Sequence, residues 1–162
     1  MDTEKWQQIK DFPDYAVSNQ GEVMTIKTEK LRLLSRNQFG VLKVTLSRGC
    51  LLYTRSVPVL VADAFVPKSF ETFNSLIHLD GKKDNADADN LMRRPRWFAI
   101  KYHKQFERPD FHHRGKGFKV RDTGEHFASF YDACSKYGLL AFDIRCSILM
   151  DEPTFPTGQQ FA

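Results

Sequence analysis

The order of apolar and polar positions divides the chain into three stretches. In the first, the period is two. Leu42, Val44 and Leu46 point to one side and Val41, Lys43 and Thr45 to the other, as in a half-buried strand over residues 41–47. Arg48-Gly49 turns the chain and residues 51–57 return it. Residues 15–19, 22–27 and 31–35 are further strand candidates, with Asn19-Gln20-Gly21 as a turn. Pro58 suits the first turn of a helix, and the apolar run from Val59 to Phe65 continues it until Pro67 stops it.

The second stretch changes character. Residues 74–79 form an apolar strand carrying His78. Asp80-Gly81 is a tight turn, residues 82–89 a polar loop and Leu91 an apolar plug. Pro95 opens a helix to about residue 106, on which Trp97, Ile100, Lys101 and Lys104 fall at helical spacing. Residues 108–117, rich in Pro, Gly, His and charge, predict an exposed linker.

In the third stretch, residues 118–121 and 125–127 flank a turn at Asp122-Thr123-Gly124. Ser129 is a good N-cap for a helix over 130–137, Gly138 a natural residue just past its end, and a second helix spans 141–150. Two short helices joined through glycine suggest a helix-turn-helix-like module. The pattern predicts an α+β chain divided into residues 1–107, a linker over 108–117, and a small module over 118–162.

Composition narrows the class. The chain has 162 residues, 41% hydrophobic, with 14 Phe and a mean hydropathy of −0.46, which suits a folded domain or two small ones and excludes a disordered chain. No apolar run is long enough to span a membrane, and Met1-Asp2-Thr3-Glu4-Lys5 lacks the basic and apolar regions of a signal peptide. The expectation is a cytoplasmic protein with no membrane partner. Cys50, Cys134 and Cys146, an odd set without a CxxC, predict buried or half-buried free thiols.

Charge is unevenly placed. Between Arg93 and Arg121 stand ten basic residues against only Glu107 and Asp110, so the rest of the chain is net acidic although the total is +4. A positive block of this kind is the footprint of a polyanion partner, although a solvated basic connector would carry the same charge. No GxxxxGK[ST], GxGxxG or GxSxG string is present.

Four strings in order resemble the HNH homing endonucleases of phages and introns. Trp6, Ile9, Tyr15, Val17-Ser18-Asn19, Gly21 and Val23 resemble their opening module, and residues 60–67 resemble the helix before the nuclease motif. Ile77-His78-Leu79-Asp80-Gly81-Lys82-Lys83-Asp84-Asn85 with Asp89-Asn90-Leu91 resembles the HNH motif itself. Thr123-Gly124-Glu125, Phe127, Ser129, Ala133 and Gly138-Leu139 resemble the small C-terminal DNA-binding repeat.

The resemblance implies a central ββα unit holding one divalent cation, Mg²⁺ or Mn²⁺, that hydrolyses a phosphodiester of double-stranded DNA. By position, His78 is the general base and Asn90 orients it. It also implies a phage or mobile-element source, and hence the host cytoplasm. Arg93, Arg94, Arg96, Lys101, Lys104, Arg114, Lys116 and Lys119 are the candidates for phosphate contact.

The pattern breaks at the metal ligands. Relatives carry Asp or Asn directly before the histidine, where this chain has Ile77. They carry His or Asn on the following helix, where the count from His78 lands on Ala99. Neither side chain offers the oxygen ligands that Mg²⁺ requires. Asp80 and His103 are the nearest substitutes. Two readings follow beside an active endonuclease: a catalytically silent descendant that binds DNA, or a module that binds a host or phage protein.

Overall fold

In the computed structural model, which describes residues 3–107 and 117–162, β1 (Trp6–Ile9), β2 (Phe12–Ser18), β3 (Val23–Thr25) and β4 (Lys30–Leu31) form an antiparallel sheet in chain order. β5 (Leu34–Arg36), β6 (Leu42–Arg48) and β7 (Leu51–Ser56) form a second. The alternation along β6 is realised: Val44 and Leu46 are buried and Thr45 is exposed. β6 and β7 meet at Gly49-Cys50, with φ of 55° and 65°, and Arg48 pairs with Leu51. Two central residues with positive φ make the mirror-image turn that matches strand twist in a two-residue hairpin.

That turn corrects one expectation. Cys134 is buried and Cys146 half-buried, but Cys50 is exposed, because a hairpin tip has no core to enter.

α1 (Val57–Phe65) carries Pro58 in its first turn and ends at Val66, which is extended (φ −98°, ψ 118°) because it precedes Pro67. Its buried residues Val57, Leu60, Val61 and Ala62 join a core with Phe12, Val17, Val23, Val44, Leu46 and Leu91. β8 (Ser75–His78) and β9 (Leu91–Arg94) pair antiparallel beside α1. A 3₁₀ turn at Ala88–Asn90 leads into β9.

Two strands escape the hydrophobic pattern. β1 pairs with β2 through an irregularity between Gln8 and Ile9, which breaks the alternation. Leu91 is the first residue of β9 rather than an isolated plug, and the two arginines that follow disguise the strand.

Backbone contacts divide the chain into two compact units, Met1–His78 with Lys82–Pro95, and Leu79–Gly81 with Arg96–Ala162. The second contains α2 (Arg96–Gln105), β10 (Phe118–Lys119), β11 (His126–Phe127), α3 (Phe130–Tyr137) and α4 (Ala141–Met150). Its core is Phe118, Val120, Phe127, Ala133, Cys134, Leu139, Ile144 and Phe161. Ser129 Oγ accepts from the Asp132 N–H at 3.1 Å and donates to Asp132 Oδ2 at 2.8 Å, closing the N-terminus of α3. Gly138, at φ 61°, ends that helix.

The division falls between Pro95 and Arg96, ahead of the linker that composition marks at 108–117. α2 belongs with the second unit because its buried Tyr102 and Gln105 bond there: the Tyr102 hydroxyl lies 3.0 Å from the Cys134 carbonyl. Residues 108–116 of the linker lie outside the described residues. No described helix is long and apolar enough to cross a membrane.

Candidate active site and nucleic-acid interface

His78 closes β8 and pairs with Leu91 at the start of β9. Asn90 directly precedes Leu91, so the hairpin register brings the backbones of His78 and Asn90 to the same end of the strand pair. His78 is buried, at 5% exposure.

The loop before Asn90 is built by its own short polar side chains. The Asn85 N–H donates to the Lys82 carbonyl at 3.2 Å, and Asn85 Oδ1 accepts from the Asp87 N–H at 3.3 Å. Asp87 Oδ1 accepts from the Asp89 N–H at 3.3 Å, capping the 3₁₀ turn. The Asn90 N–H donates to the Asp87 carbonyl at 3.0 Å, and Asn90 Nδ2 to the Asn85 carbonyl at 3.0 Å. Asn and Asp favour such local bonds over helix or strand, which is why a run from Lys82 to Asn90 with so few apolar residues holds one shape. Asn85 stands in the HNH-like string, but its part in holding the loop is what the sequence reading misses. Its signal is the recurrence of Asn or Asp at 85, 87, 89 and 90.

The two positions at which the resemblance expects metal ligands hold apolar, buried side chains. Ile77 is fully buried and pairs with Met92, and Ala99 is buried on α2. Asp80 is half-buried in the turn after β8. His103 is half-buried on α2, its ring edge-on to Tyr102 with centroids 6.1 Å apart. Among the described residues, no group of three His, Cys, Asp or Glu side chains could hold a metal ion. The residues present at the two ligand positions do not fit a divalent cation.

The basic candidates separate into two sets. Arg93 Nη2 donates to Asp63 Oδ1 at 2.7 Å, tying β9 to α1 with only 13% of its side chain exposed. Arg94 is buried, its Nη1 donating to the Arg93 carbonyl and its guanidinium over the Phe73 ring. Arg96, Lys101, Lys104 and Lys119 are exposed. Along α2 the exposed positions are Arg96, Trp97, Ile100, Lys101 and Lys104, a basic stripe with two apolar members. The Lys101 ammonium lies 5.3 Å from the Trp97 ring centre. Arg114 and Lys116 lie outside the described residues.

Comparison with known proteins bears on this arrangement. Residues 4–47 match the NUMOD4 motif. A 92-residue stretch, 56% of this chain, is 32% identical to an uncharacterized HNH endonuclease of Acanthamoeba polyphaga mimivirus. The match spans 23% of that relative's length. A solved structure showing DNA binding and cleavage by the HNH homing endonuclease I-HmuI superposes with a TM-score of 0.56 at 26% identity, covering 97% of this chain and 96% of that one. In sequence and in fold, the chain is similar to the HNH homing endonucleases.

The likeness extends to the α+β character, with its small antiparallel sheets and its helices.

Proposed function

We propose that the chain binds double-stranded DNA on an HNH homing endonuclease scaffold whose hydrolytic centre is silent. The likeness to I-HmuI over 97% of the chain, a protein whose structure is described as binding and cleaving DNA, carries the DNA-binding half of this reading. The exposed stripe on α2 supports it. Arg96, Lys101 and Lys104 present three positive charges on a helix that carries no acid of its own, and Trp97 and Ile100 lie between them. Such cations neutralise phosphates and release counterions, so they supply affinity that falls steeply with salt. Lys119 adds a further exposed charge in the second unit. Arg93 and Arg94 act in this reading as structural residues of the first unit, because their guanidinium groups are already engaged there.

The silent half rests on the apolar, buried Ile77 and Ala99. His78 and Asn90 keep the places of base and orienting residue, and their retention favours the second reading, an active endonuclease with a rearranged metal site using Asp80 or His103.

Supercoiled plasmid incubated with Mg²⁺ or Mn²⁺ separates the two, beside an EDTA control and His78→Ala. The expected result is no nicking, with a salt-sensitive gel shift on duplex DNA. Metal-dependent nicking that disappears in His78→Ala establishes the active reading instead. Absence of both nicking and binding directs attention to a host or phage protein partner.

A further inference from the structure

The turn at residues 18–22 does more than connect β2 to β3. The Asn19 carbonyl accepts a hydrogen bond from the Ala88 N–H at 2.7 Å. Ala88 opens the 3₁₀ turn that ends at Asn90. Two residues from Asn19, Gly21 adopts a φ of +87° and abuts the same loop: a Cβ placed there would lie 2.9 Å from Ala86 Cβ and 3.3 Å from the Ala86 carbonyl oxygen. Ala86 is itself buried, at 3% exposure.

The turn is rigid from its own side. Ser18 is fully buried, and its Oγ accepts from the Gln20 and Glu22 N–H groups at 3.3 and 3.0 Å. Asn19 is held twice by Lys5: the Asn19 N–H donates to the Lys5 carbonyl at 3.0 Å, and Asn19 Oδ1 accepts from the Lys5 N–H at 2.7 Å.

We infer that this Ser-Asn-x-Gly turn is the seat of the HNH loop, with Asn19 and Gly21 as positioning residues for Asn90. Asn19 fixes the loop by its carbonyl and Gly21 by the absence of a side chain. The seat sets where the 3₁₀ turn stands, and the 3₁₀ turn delivers Asn90 one residue before the partner of His78. A third tether, the exposed Arg36–Asp84 pair at 2.9 Å, contributes little because both partners are solvated. The inference rests on the reading of His78 and Asn90 as the working pair. It joins the Asn19-x-Gly21 string to the HNH-like loop at Ala86 and Ala88: the two meet in one packed contact.

The test reads side-chain resonances in the free protein, so it succeeds or fails independently of DNA binding or nicking. The Asn90 amide pair and the His78 ring are assigned with Asn90→Asp and His78→Gln. Gly21→Ala is compared with Gly40→Ala, which has a similar φ of +83° but nothing within 4 Å of the added carbon. The expected result is displacement of both sets of resonances in Gly21→Ala, none in Gly40→Ala, and return toward the parent positions in Gly21→Ala/Ala86→Gly.

Ala88→Pro is the second variant. Asp87 already has φ −59° and ψ 135°, which a following proline accepts, so the change removes the donor to Asn19 without demanding a new backbone. It should displace the same resonances, and it decides the matter if Gly21→Ala does not fold. Unmoved resonances in folded Gly21→Ala or Ala88→Pro, or equal movement in Gly40→Ala, overturn the inference.

Discussion

Gln105 Oε1 accepts a hydrogen bond from the Ala141 N–H at 3.0 Å. The same amide donates through Nε2 to the Leu139 carbonyl at 3.3 Å. A single buried side chain from α2 thereby satisfies two backbone groups on either side of Leu140, the N-cap of α4, whose own side chain offers no cap. Gln105→Leu keeps the volume and removes both bonds. Buried groups left unsatisfied cost about 1–3 kcal/mol each, so the variant should lose roughly 2–4 kcal/mol. Urea denaturation followed by tryptophan fluorescence in a Trp6→Phe background, which leaves Trp97 as the reporter, measures it, and a loss below about 0.5 kcal/mol would show that water replaces the amide.

The stripe on α2 predicts a salt slope. Replacing Arg96, Lys101 and Lys104 together with alanine should weaken duplex binding. It should also flatten the dependence of log affinity on log salt by about 0.9 for each phosphate no longer neutralised. Fluorescence anisotropy across a NaCl series gives the slope. Arg93→Ala should leave that slope unchanged and lower stability instead, because it removes the ion pair with Asp63. A slope that responds to Arg93 and not to the α2 cations would reverse the assignment.

Restoring one ligand does not restore a centre. Ile77 is fully buried, so Ile77→Asp removes apolar packing and places a carboxylate where no water reaches. The expected cost exceeds about 3 kcal/mol. Thermal denaturation with and without Mg²⁺ checks this. A stable variant whose melting temperature rises with Mg²⁺ would mean that the position opens to solvent and cation.

The C-terminal unit carries its own pH response. Lys136 Nζ bonds Glu125 Oε1, and the Tyr137 hydroxyl donates to Glu125 Oε2 at 2.6 Å. The Lys136 bond first, and the Tyr137 bond second, hold the Glu125 carboxyl below its ordinary 4.5. The same bonds raise Lys136 above 10.5 and Tyr137 above 10.0. Glu125 therefore contributes stability above pH 4.5 that is lost as pH falls through its lowered value. The Lys136 and Tyr137 contributions are present below their ordinary values and are lost as pH rises through the raised ones. The melting temperature should fall at both extremes, and Glu125→Gln should flatten both limbs. A profile identical in the variant would show that solvent screens the cluster entirely.

Gly81 is the most constrained glycine near the motif. At φ +76°, an added Cβ would meet the Phe106 ring at 2.5 Å. Gly81→Ala should cost at least about 2 kcal/mol, combining a left-handed backbone with a steric clash. Gly124→Ala, at φ +69° with nothing within 4 Å, is the control for backbone alone. Equal losses in the two variants, read by denaturation, would mean that the Phe106 ring yields.

The local elements follow from local physics and are legible residue by residue. Alternation fixes β6, proline in the first turn and just past the end frames α1, and Ser129 with Gly138 brackets α3, because each depends on groups within a few positions along the chain. The HNH-like strings, and the apolar residues where the resemblance expects metal ligands, are legible for the same reason: they are matters of residue type and spacing.

What the chain order could not disclose is where distant groups meet. A short strand with two arginines reads as polar until β8 supplies its partner, so β9 is visible only in the sheet. The basic block reads as one footprint, yet Arg93 and Arg94 turn inward to Asp63 and Phe73 while Arg96, Lys101 and Lys104 stay in water. α2 joins the second unit through Gln105 and Tyr102, whose partners lie more than thirty residues further on. The seat of the HNH loop joins Asn19 to Ala88 through backbone atoms that every residue type carries, so no pattern of side chains could announce it.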